Sequence, residues 1–228
     1  MRSYLIHFIR HGLTEANKQG RYAGFTDYPV CEEGISELLK LKNDFDYPYA
    51  DVIFSSPLIR CTQTANILYD SPKIIAVDGL KEINFGDWED KSAKELENDG
   101  QFKAWISDGG KGRVPNGEST EMFAQRVGAA FETIVEGLMK SKTFDAVICA
   151  HGGTIMSILS AYGLPKAGFY DWVCANGCGY SVRINMNMWL NSKLFEIYER
   201  VPKGNSPTMG DDQQRMFEMA RDINEALE

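Results

Sequence analysis

Short apolar runs alternate with longer stretches of helical spacing along most of the chain. Residues 4–9 are largely apolar and stop at Arg10-His11-Gly12. A run this short, closed by glycine, predicts a buried strand that ends in a loop. Residues 33–41 put Ile35, Leu38, Leu39 and Leu41 at helical intervals. Val52-Ile53-Phe54 reads as a second buried strand, closed by Ser55-Ser56-Pro57. Residues 58–69 follow as a helix, with Pro57 near its first turn. Residues 74–77 read as a third strand. Ser119-Thr120-Glu121 opens a long helix that reaches about Lys140. Residues 144–150 are a strongly apolar strand ending at His151-Gly152-Gly153, and residues 154–162 are the helix after it. Residues 179–188 and 194–201 read as later strands forming a hairpin.

Strands alternating with helices predict an α/β fold with a mainly parallel sheet covered on both faces. Ligands of such sheets bind beyond the carboxyl ends of the strands. Two of the three histidines, His11 and His151, stand at such ends. Two stretches break the alternation. Residues 86–117 are polar, glycine-rich towards their end, and hold Trp88, Phe102 and Trp105, so they read as a small helical insertion followed by a loop. Residues 202–210 look like a linker. Asp211 then caps a final helix with Met216, Met219, Ala220, Ile223 and Leu227 along one face. That helix either docks on its own domain or makes a homodimer contact. The expected organisation is one domain over residues 1–201, with the insertion at about 86–117, and a linker and amphipathic helix over 202–228.

Composition narrows the function. The chain has 228 residues, 43% hydrophobic and 25% charged, enough for one substantial core. A formal net charge of -8 with no basic run argues against nucleic-acid binding. An anionic ligand must therefore meet a local cluster of positive groups. The five cysteines are odd in number and no signal-peptide pattern precedes them. Residues 1–9 are too short for a membrane span, so a cytoplasmic protein with no membrane partner is expected. Cys174 and Cys178 are the one close cysteine pair, and the histidines do not gather near them. A zinc site needs about four ligands, so no metal and no cofactor is expected.

His11 has the setting of a nucleophile. A reactive imidazole needs one exposed nitrogen and a partner for the other. Arg10 beside it offers a planar fork for a phosphate. Alone, Arg-His-Gly is a weak signal and equally fits a loop. Arg60 falls in the first turn of a helix, where anions are favoured, although it could be an ordinary surface residue. Glu82, in Glu-Ile-Asn-Phe-Gly-Asp-Trp-Glu, follows the third strand, although an isolated carboxylate there is unremarkable. His151 repeats the strand-end histidine with glycines after it.

Taken in order, residues 8–17, 55–65, 82–89 and 150–154 resemble the histidine phosphatase superfamily, also called phosphoglycerate-mutase-like. The likeness runs from about Tyr4 to about Val201. It implies a three-layer α/β/α sandwich with a mostly parallel central sheet. It implies that His11 is the phosphorylated histidine, that Arg10 and Arg60 bind the phosphate, and that His151 contacts the phosphoryl oxygens. Glu82 would protonate the leaving oxygen, its pKa raised by the nearby phosphate. Asn17 would line the phosphate pocket, and the backbone N–H of Gly152 would be a further donor. No metal is implied, and the partner is a small-molecule phosphomonoester. Leu13, Cys31, Cys61 and Ala150 depart from the usual pattern. Cys31 stands where Ser or Thr often caps the next helix.

The superfamily divides into hydrolases and mutases. The stretch after Glu82 is short and lacks an Arg-Arg pair. Residues 21–29, 82–89 and 115–119 look like bacterial α-ribazole-phosphate phosphatases and related small-molecule phosphatases, so a phosphatase is favoured. Trp88, Phe102 and Trp105 either cover a bulky leaving group or pack the insertion onto the body. Asp108-Gly109-Gly110-Lys111-Gly112 lacks the spacing and the preceding strand of a nucleotide-binding loop.

Overall fold

The computed structural model describes residues 2–70 and 73–204. The helix expected at residues 211–227 lies outside them. The described chain forms a seven-stranded sheet between two helical layers. The strands are β1 (Tyr4–Arg10), β2 (Val52–Ser55), β3 (Ile74–Ala76), β4 (Asp145–Ala150), β5 (Gly163–Leu164), β6 (Gly179–Ile184) and β7 (Phe195–Val201). Their order is β3-β2-β4-β1-β6-β7-β5. β6 is antiparallel to both neighbours, β1 and β7, and the remaining pairs are parallel.

The period-2 alternation of the strands sorts their side chains between two cores. Tyr4, Ile6 and Phe8 of β1 join Ala146, Ile148 and Ala150 of β4 on one face. There they meet α6 (Thr120–Ser141) and α7 (Gly152–Tyr162) through Phe131, Ile134, Ile155 and Leu159. Ile9, Val147 and Cys149 face the other way, against Leu38 of α2 (Glu32–Asp44) and Cys61, Ala65 and Leu68 of α3 (Ile59–Leu68). Covering on both faces explains why the strands read as continuous apolar runs.

The helix starts follow their caps. The Ser119 hydroxyl accepts the Met122 N–H to open α6. The Cys31 sulfur accepts the Gly34 N–H at 3.4 Å, so the thiol does cap α2 in place of the usual hydroxyl. Thr14 and Asn17 form a capping box for the short α1 (Glu15–Lys18).

The insertion holds α4 (Ala93–Leu96) and α5 (Gly100–Ser107). Trp88, Leu96, Phe102 and Val114 make a small core of their own, with Trp105 packed against it. The Trp88 ring lies 5.3 Å from Phe102 and 5.4 Å from Trp105. These aromatics pack the insertion.

One expectation fails. Residues 179–188 are not a single strand. β6 stops at Ile184, and the Asn185 side chain accepts the N–H groups of Asn187 and Met188 to start α8 (Met186–Ser192). α8 ends at Lys193 in the left-handed region, and its Trp189 is fully buried. A good cap and one large apolar anchor outweigh the strand-like pattern of Met and Trp. β6 and β7 still pair antiparallel, around this helix rather than a tight turn.

Candidate active site

The strand register builds the site. β1 and β4 run parallel with Arg10 opposite Ala150. The residues just beyond them, His11 and His151, therefore emerge side by side, and the His11 N–H donates to the Ala150 carbonyl at 3.0 Å. Their rings lie 5.2 Å apart, centroid to centroid. β2 flanks β4 on the other side with Ser55 opposite Cys149. This brings Ser56 to His151, oxygen to Nε2, at 2.8 Å.

The hydrogen bonds set the tautomers. His11 Nδ1 lies 2.8 Å from the Gly12 carbonyl. A carbonyl only accepts, so Nδ1 carries the proton and Nε2 keeps its lone pair. Arg60 Nε–H donates to His151 Nδ1 at 3.2 Å. His151 therefore carries its proton on Nε2 and donates it to Ser56. Burial pushes the pKa of both imidazoles well below the usual histidine value, and the guanidiniums of Arg60 and Arg10 push it further. Both rings are neutral near pH 7 before any ligand arrives.

Arg60, the second residue of α3, is almost wholly buried. Arg10 Nη1 donates to the Cys174 carbonyl at 2.7 Å. Asn176 donates its amide to the His11 carbonyl at 2.8 Å. The segment after α7 thus steadies both residues of the Arg10-His11 pair.

Glu82 approaches from the turn after β3. Its carboxylate accepts the Gly153 N–H at 2.8 Å and the Ile83 N–H at 3.0 Å. Gly153 is the second residue of α7, so a helix-end N–H with no partner within the helix is satisfied here. A Cβ at Gly153 would lie 2.4 Å from Glu82 Oε1, so the carboxylate needs glycine there. Burial raises the Glu82 pKa, against the lowering effect of those two N–H bonds and of the Arg60 and Arg10 charges. The rise expected from a bound phosphate is thus already begun by the protein. Arg126 of α6 secures the turn. It donates to the carbonyls of Gly79, Lys81 and Glu82 and forms a two-point pair with Glu118.

The structure therefore brings together His11, His151, Arg10, Arg60 and Glu82. Gly152, first residue of α7, lies against Arg10, its Cβ position 3.6 Å from Arg10 Nε. Asn17 is the third residue of α1. Its Oδ1 accepts the backbone N–H and the hydroxyl of Thr14, so the amide end left to donate is Nδ2. Sequence reasoning missed Ser56, Gly153, Cys174 and Asn176. Gly153 and Ser56 lay within segments already singled out, and strand register would have pointed to Ser56. Cys174 acts through its backbone oxygen, which no side-chain pattern marks.

All five cysteines are free thiols. Among the described residues no three His, Cys, Asp or Glu side chains gather where a metal ion could sit. No helix among them is long and apolar enough to cross a membrane.

The family model described as histidine phosphatase superfamily (branch 1) matches residues 6–196. The chain belongs to this superfamily. It is 28% identical over 186 residues to the adenosylcobalamin/alpha-ribazole phosphatase of Escherichia coli, covering 79% of this chain and 90% of that one. It is 29% identical over 203 residues to a 2,3-bisphosphoglycerate-dependent phosphoglycerate mutase of Methylobacterium radiotolerans, covering 83% and 93%. The fold superimposes on the alpha-ribazole phosphatase of Shigella flexneri with a TM-score of 0.72, at 24% identity, over 85% of this chain and 94% of that one. The chain is thus a member of the histidine phosphatase superfamily, and its relatives include both phosphatases and a mutase.

Proposed function

We propose that the protein is a metal-independent phosphomonoester hydrolase working through a phosphohistidine on His11. The observation that carries this reading is the pairing of two neutral imidazoles with two buried or half-buried guanidiniums and a carboxyl of raised pKa. His11 Nε2, its lone pair free, attacks phosphorus while the ester oxygen departs in line. Glu82 delivers its proton to that oxygen. Charge on the three equatorial oxygens is met by Arg10, Arg60 and the Gly152 N–H, with the Asn17 amide at the rim, and by the His151 Nε2–H as it turns from Ser56 to a phosphoryl oxygen. In the second step Glu82 takes a proton from water, the water oxygen bonds to phosphorus, and the P–N bond breaks. Free phosphate leaves and His11 is restored.

Hydrolysis is favoured over mutation by the short insertion and the absence of paired arginines after Glu82. Identity to named relatives does not separate the two, at 28% for the phosphatase and 29% for the mutase. The substrate class is a small-molecule phosphomonoester, and α-ribazole 5'-phosphate is the first to try, from the name of the Escherichia coli relative. The test is phosphate release, with EDTA present, from a panel holding α-ribazole phosphate and 3-phosphoglycerate with and without 2,3-bisphosphoglycerate. Release by the wild type and none by His11→Ala is expected. Isomerisation without release would replace this reading with the mutase one.

A further inference from the structure

Glu89 sits at the end of a 3₁₀ turn, Gly86–Trp88, where its charge is felt by Arg60. Its Oε1 accepts the N–H groups of Phe25 at 2.8 Å, Phe85 at 3.0 Å and Gly24 at 3.2 Å. Its Oε2 accepts the Thr26 hydroxyl at 2.6 Å and the N–H groups of Thr26 and Gly24 at 3.1 Å each. Both oxygens meet donors alone. The carbonyls of the same loop point to Arg60. Gly24 and Ala23 accept from Arg60 Nη2 at 2.8 and 3.3 Å, and Thr26 accepts from Nη1 at 2.8 Å. With Nε on His151, four of the five guanidinium N–H groups are engaged, and one on Nη1 is left for a ligand oxygen.

We propose that Glu89 is a positioning residue for the phosphoryl site. The loop at residues 23–26 is clamped between a carboxylate holding its N–H groups and a guanidinium held by its carbonyls. Glu89 thereby sets the angle of Arg60, and through Arg60 the orientation of His151. Gly24 permits this because its backbone runs against the Ile83 carbonyl, where a Cβ would lie 1.8 Å away. The inference rests on the phosphohydrolase reading above and names what holds its anion site in shape.

The experiment is Glu89→Gln, which turns one acceptor oxygen into a donor facing other donors. Wild type and variant are compared for kcat on p-nitrophenyl phosphate and on an alkyl phosphate, and for inhibition by orthovanadate. Arg60 serves the phosphoryl oxygens whatever the leaving group, so kcat should fall by the same factor, ~10- to 100-fold, on both esters. The vanadate Ki should rise with it. In an Arg60→Ala background Glu89→Gln should add little. Unchanged kcat and vanadate Ki would overturn the proposal, as would losses that multiply independently in the double variant. A loss confined to the alkyl ester would also overturn it, because that signature belongs to Glu82. If Glu89→Gln fails to fold, Thr26→Val removes one donor and keeps the carboxylate. It should show a smaller loss of the same leaving-group-independent kind, and wild-type behaviour would sink the proposal. Were wild type to release no phosphate from any ester, the hydrolase reading would fall, while vanadate affinity would still report on Glu89.

Discussion

At Glu82 two influences oppose each other, and burial wins: the carboxyl titrates above its ordinary range although two N–H groups and two arginines favour its charged form. An acid poised this way matters most when the departing oxygen is a poor leaving group. Glu82→Gln should slow hydrolysis of alkyl phosphates by ~10²- to 10⁴-fold, the usual range for a lost general acid. It should slow nitrophenyl phosphate far less, and steady-state rates on the two esters check this. Gly153→Ala tests the seat of that carboxyl. The new Cβ displaces Glu82 while α7 tolerates alanine, so kcat should drop ~10- to 100-fold, as a shift of about 1 Å in a reacting group commonly causes. Circular dichroism should stay unchanged. His11 and His151 stood out at the ends of apolar runs, while Arg10, Arg60 and Glu82 were marked only by the resemblance of four ordered segments to the superfamily. Their partners were not legible, since the Gly12 carbonyl, the Cys174 carbonyl and the Gly153 N–H are backbone atoms that any residue type would supply.

Among elements, the strands and long helices followed directly from apolar spacing, because both faces of the sheet are covered. The miss at Met186–Ser192 has a local cause. Met186, Met188 and Leu190 alternate with other residues as a strand would, and the Asn185 cap and the burial of Trp189 decide for the helix. The cap of α2 offers a quantitative check. Sulfur is a weak acceptor, and Cys31 holds the Gly34 N–H at 3.4 Å. Cys31→Ser supplies a better acceptor at the same place and should raise stability by about 0.5–1 kcal/mol, within the range measured for such caps. Urea unfolding of the two proteins measures it.

For the whole molecule, acid is the sensitive direction. His7 is buried in the sheet beside Ser181, their side chains 2.8 Å apart, and burial lowers its pKa to about 4. The unfolded chain takes up this proton near pH 6.5 and the folded one does not, so stability is complete above that pH and drains away as pH falls towards 4. The loss from this one group is on the order of 3 kcal/mol. His11 and His151 act in the same sense. Unfolding midpoints taken between pH 7 and pH 4.5 should decline steeply, and His7→Gln should flatten the decline.

The gap between the two imidazoles, 5.2 Å, is close to the distance between adjacent strands, about 4.8 Å. It is inherited from the backbone pairing of β1 with β4, and the loops only orient the two rings across it. Descendants of this chain can lengthen, shorten or rebuild the insertion beyond Glu89 and leave that gap as it is. Selection for a new leaving group can therefore proceed at the rim without reopening the problem of how to hold phosphorus.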